Sequence, residues 1–312
     1  MKKFLVFVIA IVLCAGILAA CNTPTEDTPV SIATLSGPSG MGMAYMFDNQ
    51  NFDISVFTAP DQISAKIIKG EIDIASVPAN LAAVLYNKTD GGIKILSVNT
   101  LGMLYVIGTK DEAVENIADL EGKTLYATGR GATPEYVINE IIAKNEVETA
   151  VEYLAEHSAL ASDLIQGRKS LGVLPEPFVS MALQGNADLE IKIDLNEEWK
   201  ALYGQDAAIP MTATIVRKAY LADNADKIAA FADAYRESVD KVNANPADAA
   251  ELIATHEVFA NKAVAVQAIP RCNIGYIDGE NMQAVLEDYF TVLFDANPQA
   301  VGGSMPNGDI YA

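Results

Sequence analysis

The amino-acid sequence predicts an α/β protein that is built of two similar lobes. From residue 30 to residue 217, short apolar segments of strand character alternate with amphipathic helical segments. Such alternation is typical of α/β lobes with largely parallel sheets. A weak internal repeat divides the same region into two equivalent halves. The chain has 312 residues and is 51% hydrophobic, which is sufficient for two cores.

The predicted elements follow from the spacing of apolar residues. The predicted strands cover 30–35, 52–58, 72–77, 93–99, 103–109, 123–128, 151–155, 171–174, 189–195 and 211–217. The predicted helices between them cover 63–69, 81–88, 134–144, 160–166 and 178–183. After residue 217 the pattern becomes mostly helical, with one apolar face formed by Ile228, Phe231, Tyr235, Val239 and Val242. Further helices are predicted to begin at Pro246 and to span 279–297.

The internal repeat has an offset of 97 residues. Gly70 and Gly167 each follow a helical segment, and Pro78 and Pro175 each come eight residues after the glycine. The same offset places residue 36 opposite residue 133, and both positions end a strand and open a helix. Two similar lobes are the economical explanation, and a chance match of Gly and Pro at equal spacing is the alternative.

The first twenty residues have the layout of a secretory signal. Lys2 and Lys3 precede an uncharged apolar run over 4–17, and small residues then lead to Cys21. A cysteine at the cleavage point resembles a bacterial lipoprotein signal, in which Cys21 is lipidated and becomes the first mature residue. A transmembrane anchor is the alternative, since the run approaches the length needed to span a bilayer. Residues 21–29 are predicted to be a flexible tether, which places the protein on the extracytoplasmic face of the cell membrane as a lipid-anchored protein.

Charge and cysteine usage exclude several classes. The formal charge is −20, and removal of Lys2 and Lys3 leaves 19 basic against 41 acidic residues, a net charge of −22. Nucleic acid and anionic membrane are poor partners for such a surface. Cys272 would be the only thiol left after processing and lipidation, so no intrachain disulfide is expected. The two histidines lie far apart in the sequence, and no metal site or cofactor is predicted.

If the two lobes face each other, the turns at the carboxyl ends of their strands converge on a cleft. The candidate turns are 36–41, 59–62, 78–80, 130–133, 156–158 and 175–177. In the first turn, Gly37 and Gly40 permit close backbone approach, and the helix that follows offers unpaired N–H groups to an anionic or carbonyl-bearing ligand. The glycine spacing matches neither a dinucleotide fingerprint nor a P-loop, and a plain turn is the alternative.

The other turns carry polar side chains with two interpretations each. Arg130 could give a fork of donors to a carboxylate, sulfonate or phosphate, or it could pair with a nearby acid. Thr133 is predicted to cap the helix that Pro134 begins. In the matching turns of the repeat, Asn80 could donate and accept hydrogen bonds to a ligand. Glu176 could bind an amine of the ligand, or it could pair with a basic residue at a hinge.

The candidate ligand contacts come from all of these turns and from the strand near residue 212. They are Ser36, Gly37, Pro38, Ser39, Gly40, Met41, Asp61, Pro78, Asn80, Arg130, Gly131, Ala132, Thr133, His157, Glu176 and Thr212. For the methionines near residue 41, core filling is the favoured interpretation. The sequence has no nucleophile-elbow or triad motif, so no catalytic residue is assigned.

Four segments resemble a known family. They are Gly70-Glu-Ile-Asp-Ile-Ala-Ser-Val-Pro78, Leu120-Glu-Gly-Lys123, the turn at 129–133 and Leu174-Pro-Glu-Pro-Phe178. They are similar to the solute-binding lipoproteins of ABC importers of the nitrate/sulfonate/taurine type, which share their fold with the thiamine-pyrimidine-precursor binding proteins. The likeness runs from about residue 30 to the C-terminus.

The resemblance implies a two-lobed periplasmic-binding-protein fold of type II, in which each lobe is a mixed sheet flanked by helices. Lobe 1 would comprise 30–104 and 214–312, and lobe 2 would comprise 105–213. The chain would cross between the lobes near 99–109 and 210–215, and the lobes would close by hinge motion over a ligand in the cleft.

The function that the resemblance implies is capture of a small organic solute, such as a sulfonate or a pyrimidine. The protein would be a monomer that delivers the solute to an ABC permease with its ATPase subunit, and it would not be an enzyme. Two alternatives stay open. One is an enzyme of the same fold that acts on a small heterocyclic or carboxylate substrate, with His157 as its best catalytic candidate. The other is a solute sensor without a permease.

Overall fold

The computed structural model describes residues 28–312, which form two mixed β-sheets with helices packed against each. The two-lobed α/β architecture predicted from the sequence is thereby confirmed. The predicted signal at 1–20, Cys21 and the tether up to residue 27 lie outside the described residues. Within the described residues, no helix combines the length and the apolar character that crossing a bilayer requires.

The described residues contain eleven strands. They are β1 (Val30–Leu35), β2 (Phe52–Phe57), β3 (Ile74–Pro78), β4 (Ile93–Thr100), β5 (Leu104–Thr109), β6 (Thr124–Thr128), β7 (Ala150–Leu154), β8 (Leu171–Pro175), β9 (Leu189–Asp194), β10 (Thr212–Arg217) and β11 (Ile274–Ile277). All of the predicted strands are found, each within two residues of its expected ends. The short strand β11 lay in a region that was predicted to be mostly helical.

Twelve α-helices are described. They are α1 (Pro38–Met41), α2 (Pro60–Lys69), α3 (Ala79–Lys88), α4 (Thr133–Lys144), α5 (His157–Ile165), α6 (Phe178–Gly185), α7 (Leu195–Tyr203), α8 (Lys218–Asp223), α9 (Ala225–Ala244), α10 (Pro246–Thr255), α11 (Lys262–Ala268) and α12 (Gly279–Ala296). Short 3₁₀ helices cover Ile117–Leu120, Ile269–Arg271, Pro298–Val301 and Gly308–Ile310. Helices α7, α8 and α11 were not predicted from the sequence.

Sheet B has the topology of five of the six strands of sheet A. Sheet A has the strand order β11-β4-β10-β3-β1-β2, and sheet B has the order β9-β5-β8-β6-β7. The five strands of sheet B correspond one for one to β4-β10-β3-β1-β2 of sheet A. Strands β3 and β8 are offset by 97 residues at both ends, as are the first residues of α2 and α5. The internal repeat therefore reflects two equivalent structural units.

The expectation of largely parallel sheets is corrected by one strand in sheet B and two strands in sheet A. Strand β5 pairs antiparallel with β8 and β9, β10 pairs antiparallel with β3 and β4, and β11 pairs antiparallel with β4. Strands β5 and β10 are each the first that the chain forms after it crosses to the other sheet. A strand that enters from the opposite lobe comes in at the end of the sheet where its neighbours finish, so it runs against them. The mixed sheets implied by the family resemblance are thus present.

Three hydrophobic clusters form the core. One surrounds sheet B and includes Trp199, which is buried. The other two lie on opposite faces of sheet A, because Ile32 and Ala33 of β1 point to different sides of the strand. The predicted apolar face of the C-terminal half is buried against sheet A through α9, where Phe231 and Tyr235 are fully enclosed.

Candidate functional site

A cavity of about 440 Å³ lies between the two sheets. Its walls are the turns that follow β1, β2, β6, β7 and β8, together with Pro78 at the end of β3. Its remaining lining comes from Met103, Met211 and Thr212, where the chain crosses from one sheet to the other, and from Phe259 between α10 and α11. Because parallel strands of both sheets end here, the cavity occupies the cleft that the sequence predicted.

The wall on the sheet A side is the glycine-rich turn after β1. Gly37 has φ +99°, a conformation that glycine adopts without the strain of a Cβ. The N–H groups of Ser36 and Gly37 donate to the carbonyl oxygens of Phe57 at 2.8 Å and Val258 at 3.2 Å. The turn is therefore held by its neighbours on both sides, and residues 36–39 line the cavity.

The wall on the sheet B side begins at Ala132 and Thr133. The prediction that Thr133 caps a helix is wrong, because Ala132 holds the N-cap position and Thr133 is the first residue of α4. The Thr133 hydroxyl lies 2.6 Å from the Tyr289 hydroxyl of α12, which packs on the sheet A side. Thr133 thus joins the two lobes at the edge of the cavity.

His157 is the only titratable ring that lines the cavity within residues 28–312. Its Nδ1 lies 2.5 Å from the Thr128 hydroxyl at the end of β6, and its ring centroid lies 5.2 Å from that of Phe178. Burial lowers the pKa of His157 below its usual value, and the negative charge of Glu156 opposes this effect only in part. Burial therefore favours the neutral imidazole, whose Nδ1 lies against the Thr128 hydroxyl.

Glu176 also lines the cavity, but its carboxylate is already engaged. Arg271 Nε donates to Oε1 at 2.5 Å, and the Ser180 hydroxyl donates to the same oxygen at 3.0 Å. The Ser180 N–H donates to Oε2 at 3.0 Å. Burial raises the pKa of Glu176, while Arg271 and the Ser180 donors act in the opposite direction. Of the two interpretations of Glu176, pairing with a base is the one that the geometry supports.

Thr212 belongs to a buried hydrogen-bond network at the floor of the cavity. Its hydroxyl donates to Asn99 Oδ1 and lies 2.5 Å from the hydroxyl of Thr100. Asn99 Nδ2 donates to the hydroxyls of Ser76 at 2.8 Å and Thr214 at 3.1 Å. These side chains come from β3, β4 and β10, the adjacent central strands of sheet A.

Many of the residues predicted from the sequence come together in this lining. They are Ser36, Gly37, Pro38, Ser39, Pro78, Ala132, Thr133, His157, Glu176 and Thr212. Because the carboxyl ends of the strands meet at one edge, turns that are widely separated in sequence become neighbours. Their contact with a ligand stays a prediction.

The remaining candidates, Gly40, Met41, Asp61, Asn80, Arg130 and Gly131, lie outside the lining. Met41 is fully buried in the core, where a methionine fills space between sheet A and its helices. Gly40 packs so closely that a Cβ would lie 2.7 Å from the Leu35 carbonyl oxygen. Asp61, Arg130 and Gly131 are exposed, and Asn80 is half-buried in the first turn of α3.

Arg130 is turned away from the cavity. Its side chain is 73% exposed, its Nε lies 4.0 Å from Glu135 Oε1, and its guanidinium carbon lies 5.2 Å from the centre of the Tyr153 ring. Of the two interpretations of Arg130, proximity to a nearby acid is the one observed. A basic side chain in a turn can point to either side of the turn, which the sequence does not specify.

Several lining residues were absent from the predicted set. They are Leu35, Thr58, Met103, Pro134, Glu156, Pro175, Pro177, Phe178, Met211 and Phe259. Phe178 follows the turn at 175–177 directly, and Glu156 lies in the predicted turn at 156–158, so position alone could have indicated both. Phe259 enters from the C-terminal helices and has no local signal in the sequence.

The charges in the lining are acidic. Glu156 and Glu176 are present, whereas the lining contains neither Lys nor Arg among the described residues. Throughout residues 28–312, no group of three His, Cys, Asp or Glu side chains is placed to bind a metal ion. The polar atoms that remain for a ligand are hydroxyls, backbone groups, carboxylate oxygens and the imidazole.

A family model described as menaquinone biosynthesis matches residues 26–297, which is most of the chain. The protein belongs to the menaquinone biosynthesis family. This member of the family has a cavity that lies wholly within the matched residues. No curated protein sequence matches the chain.

Several solved structures with the same fold are named as transport or solute-binding proteins. A crystal structure described as an ABC transporter from Parabacteroides distasonis has a TM-score of 0.80 and 27% identity, and the match covers 91% of this chain and 99% of that one. The periplasmic aliphatic sulphonate-binding protein SsuA from Escherichia coli has a TM-score of 0.70 and 14% identity, with coverages of 90% and 93%.

A third structure extends the same group. The periplasmic nitrate-binding protein NrtA from Synechocystis PCC 6803 has a TM-score of 0.60 and 14% identity, with coverages of 87% and 82%. The predicted resemblance to solute-binding proteins of ABC importers is confirmed, as is the two-lobed periplasmic-binding-protein fold. This menaquinone biosynthesis family member therefore combines a biosynthetic family name with the fold of solute-binding proteins.

Proposed function

We propose that this protein is an extracytoplasmic solute-binding protein that captures a small organic solute between its lobes and delivers it to an ABC permease. One observation carries the proposal: the cavity is formed by equivalent turns of two equivalent sheets. In that arrangement a ligand contacts both lobes at once, so its binding favours the closed form. The Parabacteroides distasonis structure, which this chain matches over 99% of its length, is described as an ABC transporter.

Closure requires a hinge, and we place it where the chain crosses between the sheets. Residues 101–103 join β4 to β5, and residues 204–211 join α7 to β10. The proposed lobes are 30–104 with 214–312 and 105–213. Residues at both crossings line the floor of the cavity, so rotation about them would open the opposite edge of the cleft.

Membrane attachment is proposed to occur through Cys21. A lipidated Cys21 followed by a short tether would hold the binding domain at the membrane surface without a spanning helix. Replacement Cys21→Ser should release the protein from membranes or leave it unprocessed. Unchanged membrane fractionation would favour a spanning N-terminal segment instead.

The binding function is tested with purified protein that lacks residues 1–20. A thermal-shift screen should include sulfonates, pyrimidines, nucleosides, flavins and small carboxylates. A true ligand raises the melting temperature in a concentration-dependent manner, because it binds the native state and not the unfolded state. The ligand must be recovered chemically unchanged. An adjacent gene pair for a permease and an ATPase would favour import over a sensor role.

A second candidate function is an enzyme of the same fold. Two observations favour it: the family description names menaquinone biosynthesis, and the neutral His157 lies in the cavity. A neutral imidazole at the edge of a cavity can act as a general base. Conversion of a bound compound into a new product, abolished by His157→Asn, would support this function and exclude simple binding.

A further inference from the structure

The hydroxyl of Thr212 has a fixed hydrogen-bonding direction. Its single proton is donated to Asn99 Oδ1, and a carbonyl oxygen can only accept. At the other end of the Asn99 side chain, Nδ2 donates to the hydroxyls of Ser76 and Thr214. Asn99, Ser76 and Thr214 are fully buried, so this arrangement does not exchange with solvent.

The Thr212 hydroxyl has a second partner, the hydroxyl of Thr100. The Thr100 hydroxyl lies 2.5 Å from the Thr212 hydroxyl, and one of the two must donate. Because the Thr212 proton is directed to Asn99, Thr100 is the donor. Thr212 then has one lone pair left, and Thr212 lines the cavity. Towards a ligand, this hydroxyl is an acceptor.

The charged side chains of the lining are acidic, and they disfavour an anionic ligand. Glu156 and Glu176 both belong to the lining, and the buried Glu176 carboxylate already accepts hydrogen bonds from Arg271 and Ser180. Arg271 is bonded to Glu176 and Ser180 and does not belong to the lining, and Arg130 is exposed outside the cavity. Within the described residues, an oxyanion in this cavity would therefore find no lining Lys or Arg to pair with.

The apolar part of the lining is suited to a ring. Met103 and Met211 belong to the lining at the two chain crossings, and Phe178 and Phe259 belong to the lining on the sheet B side and the sheet A side. Thioethers and aromatic rings make favourable contacts with a flat aromatic surface. The cavity thus combines aromatic and thioether contacts with acceptors at its floor.

We propose that the cavity selects an uncharged aromatic nitrogen heterocycle that presents N–H donors to Thr212, and that it discriminates against sulfonate and nitrate. This inference rests on the proposed binding function and specifies its solute class. It differs from the ligands named for the SsuA and NrtA structures, which share the fold at 14% identity. Fold likeness at that level leaves the ligand to be decided by the side chains of the site.

The first test is a thermal-shift and calorimetric comparison on the purified protein. The donor-bearing probes are uracil, cytosine and hypoxanthine, and the oxyanion probes are methanesulfonate and nitrate. A matched control, 1,3-dimethyluracil, keeps the ring of uracil but has no N–H. We expect at least one of the three bases to raise the melting temperature, and we expect dimethyluracil and both anions to leave it unchanged.

The results separate this inference from the function on which it rests. Binding of methanesulfonate or nitrate would overturn the proposed heterocyclic solute class. It would still support the proposed solute-binding function. Binding of uracil and dimethyluracil with equal affinity would also overturn it, because the N–H donors would then contribute nothing. If none of the three bases binds, the inference fails, and the wider screen of sulfonates and carboxylates decides whether the binding function stands.

The second test changes the acceptor itself. Thr212→Val removes the hydroxyl with little change of shape, and Thr212→Ser keeps the hydroxyl. We expect Thr212→Val to weaken binding of the best base about threefold to tenfold, and Thr212→Ser to stay within about twofold of the unchanged protein. Melting temperatures of the ligand-free variants separate loss of binding from loss of folding. Equal affinities of the two variants would overturn the assignment.

Discussion

The carboxylate of Glu176 and the guanidinium of Arg271 form an ion pair with a 2.5 Å Nε–Oε1 distance that joins the two lobes. Glu176 follows β8 of sheet B, whereas Arg271 ends the 3₁₀ helix that precedes β11 of sheet A. The Glu176 side chain is 0% exposed and that of Arg271 is 31% exposed. The pair therefore places a buried negative charge beside the ligand cavity and neutralises it from the other lobe.

Removal of the cation should leave Glu176 buried without compensation. We expect Arg271→Ala to lower the free energy of unfolding by about 3 kcal/mol at neutral pH. Without Arg271, the raised pKa of Glu176 rises further, so the variant should lose stability as pH increases above the usual glutamate range and recover it as pH falls. Urea unfolding at several pH values measures both effects.

A matched arginine provides the control for this prediction. Arg168 pairs with Asp163 but is 53% exposed, so Arg168→Ala should lower the free energy of unfolding by less than about 1 kcal/mol. Equal effects of the two substitutions would show that the Glu176–Arg271 pair contributes no more than a surface ion pair.

His157 should make the free energy of unfolding decrease as pH falls, which is opposite to the effect expected for Glu176 in the Arg271→Ala variant. Its folded-state pKa is lowered by burial, so the unfolded chain binds the proton more tightly. The contribution of neutral His157 is complete above its unfolded pKa of about 6.5 and is lost as pH falls through the folded value. We therefore expect the stability of the unchanged protein, measured against His157→Gln, to decrease between about pH 7 and pH 5. A pH-independent difference in unfolding free energy would contradict this.

Arg130 should be dispensable for binding. Its exposed side chain lies outside the cavity and 4.0 Å from Glu135, so Arg130→Ala should change ligand affinity less than about threefold and unfolding free energy by less than about 1 kcal/mol. Calorimetry with the best ligand from the screen measures the affinity. A loss of tenfold or more would show that Arg130 contacts the ligand after all.

Gly102 should be intolerant of a side chain because the chain crossing packs against α7. A Cβ at this position would lie 2.2 Å from Asn196 Oδ1 and 2.4 Å from Asn196 Cβ. We expect Gly102→Ala to destabilise the protein by about 1–3 kcal/mol. Gly275→Ala in β11 is the control, since its Cβ would have no atom within 4 Å. Equal melting temperatures for the two variants would contradict the predicted clash.

The sequence was informative wherever function depends on local pattern and chain order. The repeat of Pro78 and Pro175 located matching turns, and both residues line the cavity. What the sequence could not provide was long-range pairing. Glu176 is bonded to Arg271, which is 95 residues away in the sequence, and Thr133 is bonded to Tyr289, which is 156 residues away. Neither partner carries a local signal, because each acts through the packing of the C-terminal helices against the other lobe.

Direction was equally hard to predict for exposed groups. Arg130 and Thr133 lie in the same turn, yet one points to solvent and the other to α12. The strands β5 and β10 were located correctly, but their antiparallel direction depends on the crossings and not on residue pattern. Such features are decided when the two sheets come together, which is a tertiary event.

The position of β10 in sheet A affects the order in which the two sheets can form. Sheet B is assembled from one continuous stretch, since its strands all lie between residues 104 and 194. Sheet A cannot be completed in that way, because β10 separates β3 from β4 and is synthesised after every strand of sheet B. A chain that emerges with its N-terminus first would thus form its second lobe as a unit while its first lobe is still split. Sheet A is complete only when residues 212–217 and 274–277 are also available, so sheet B can be completed before sheet A.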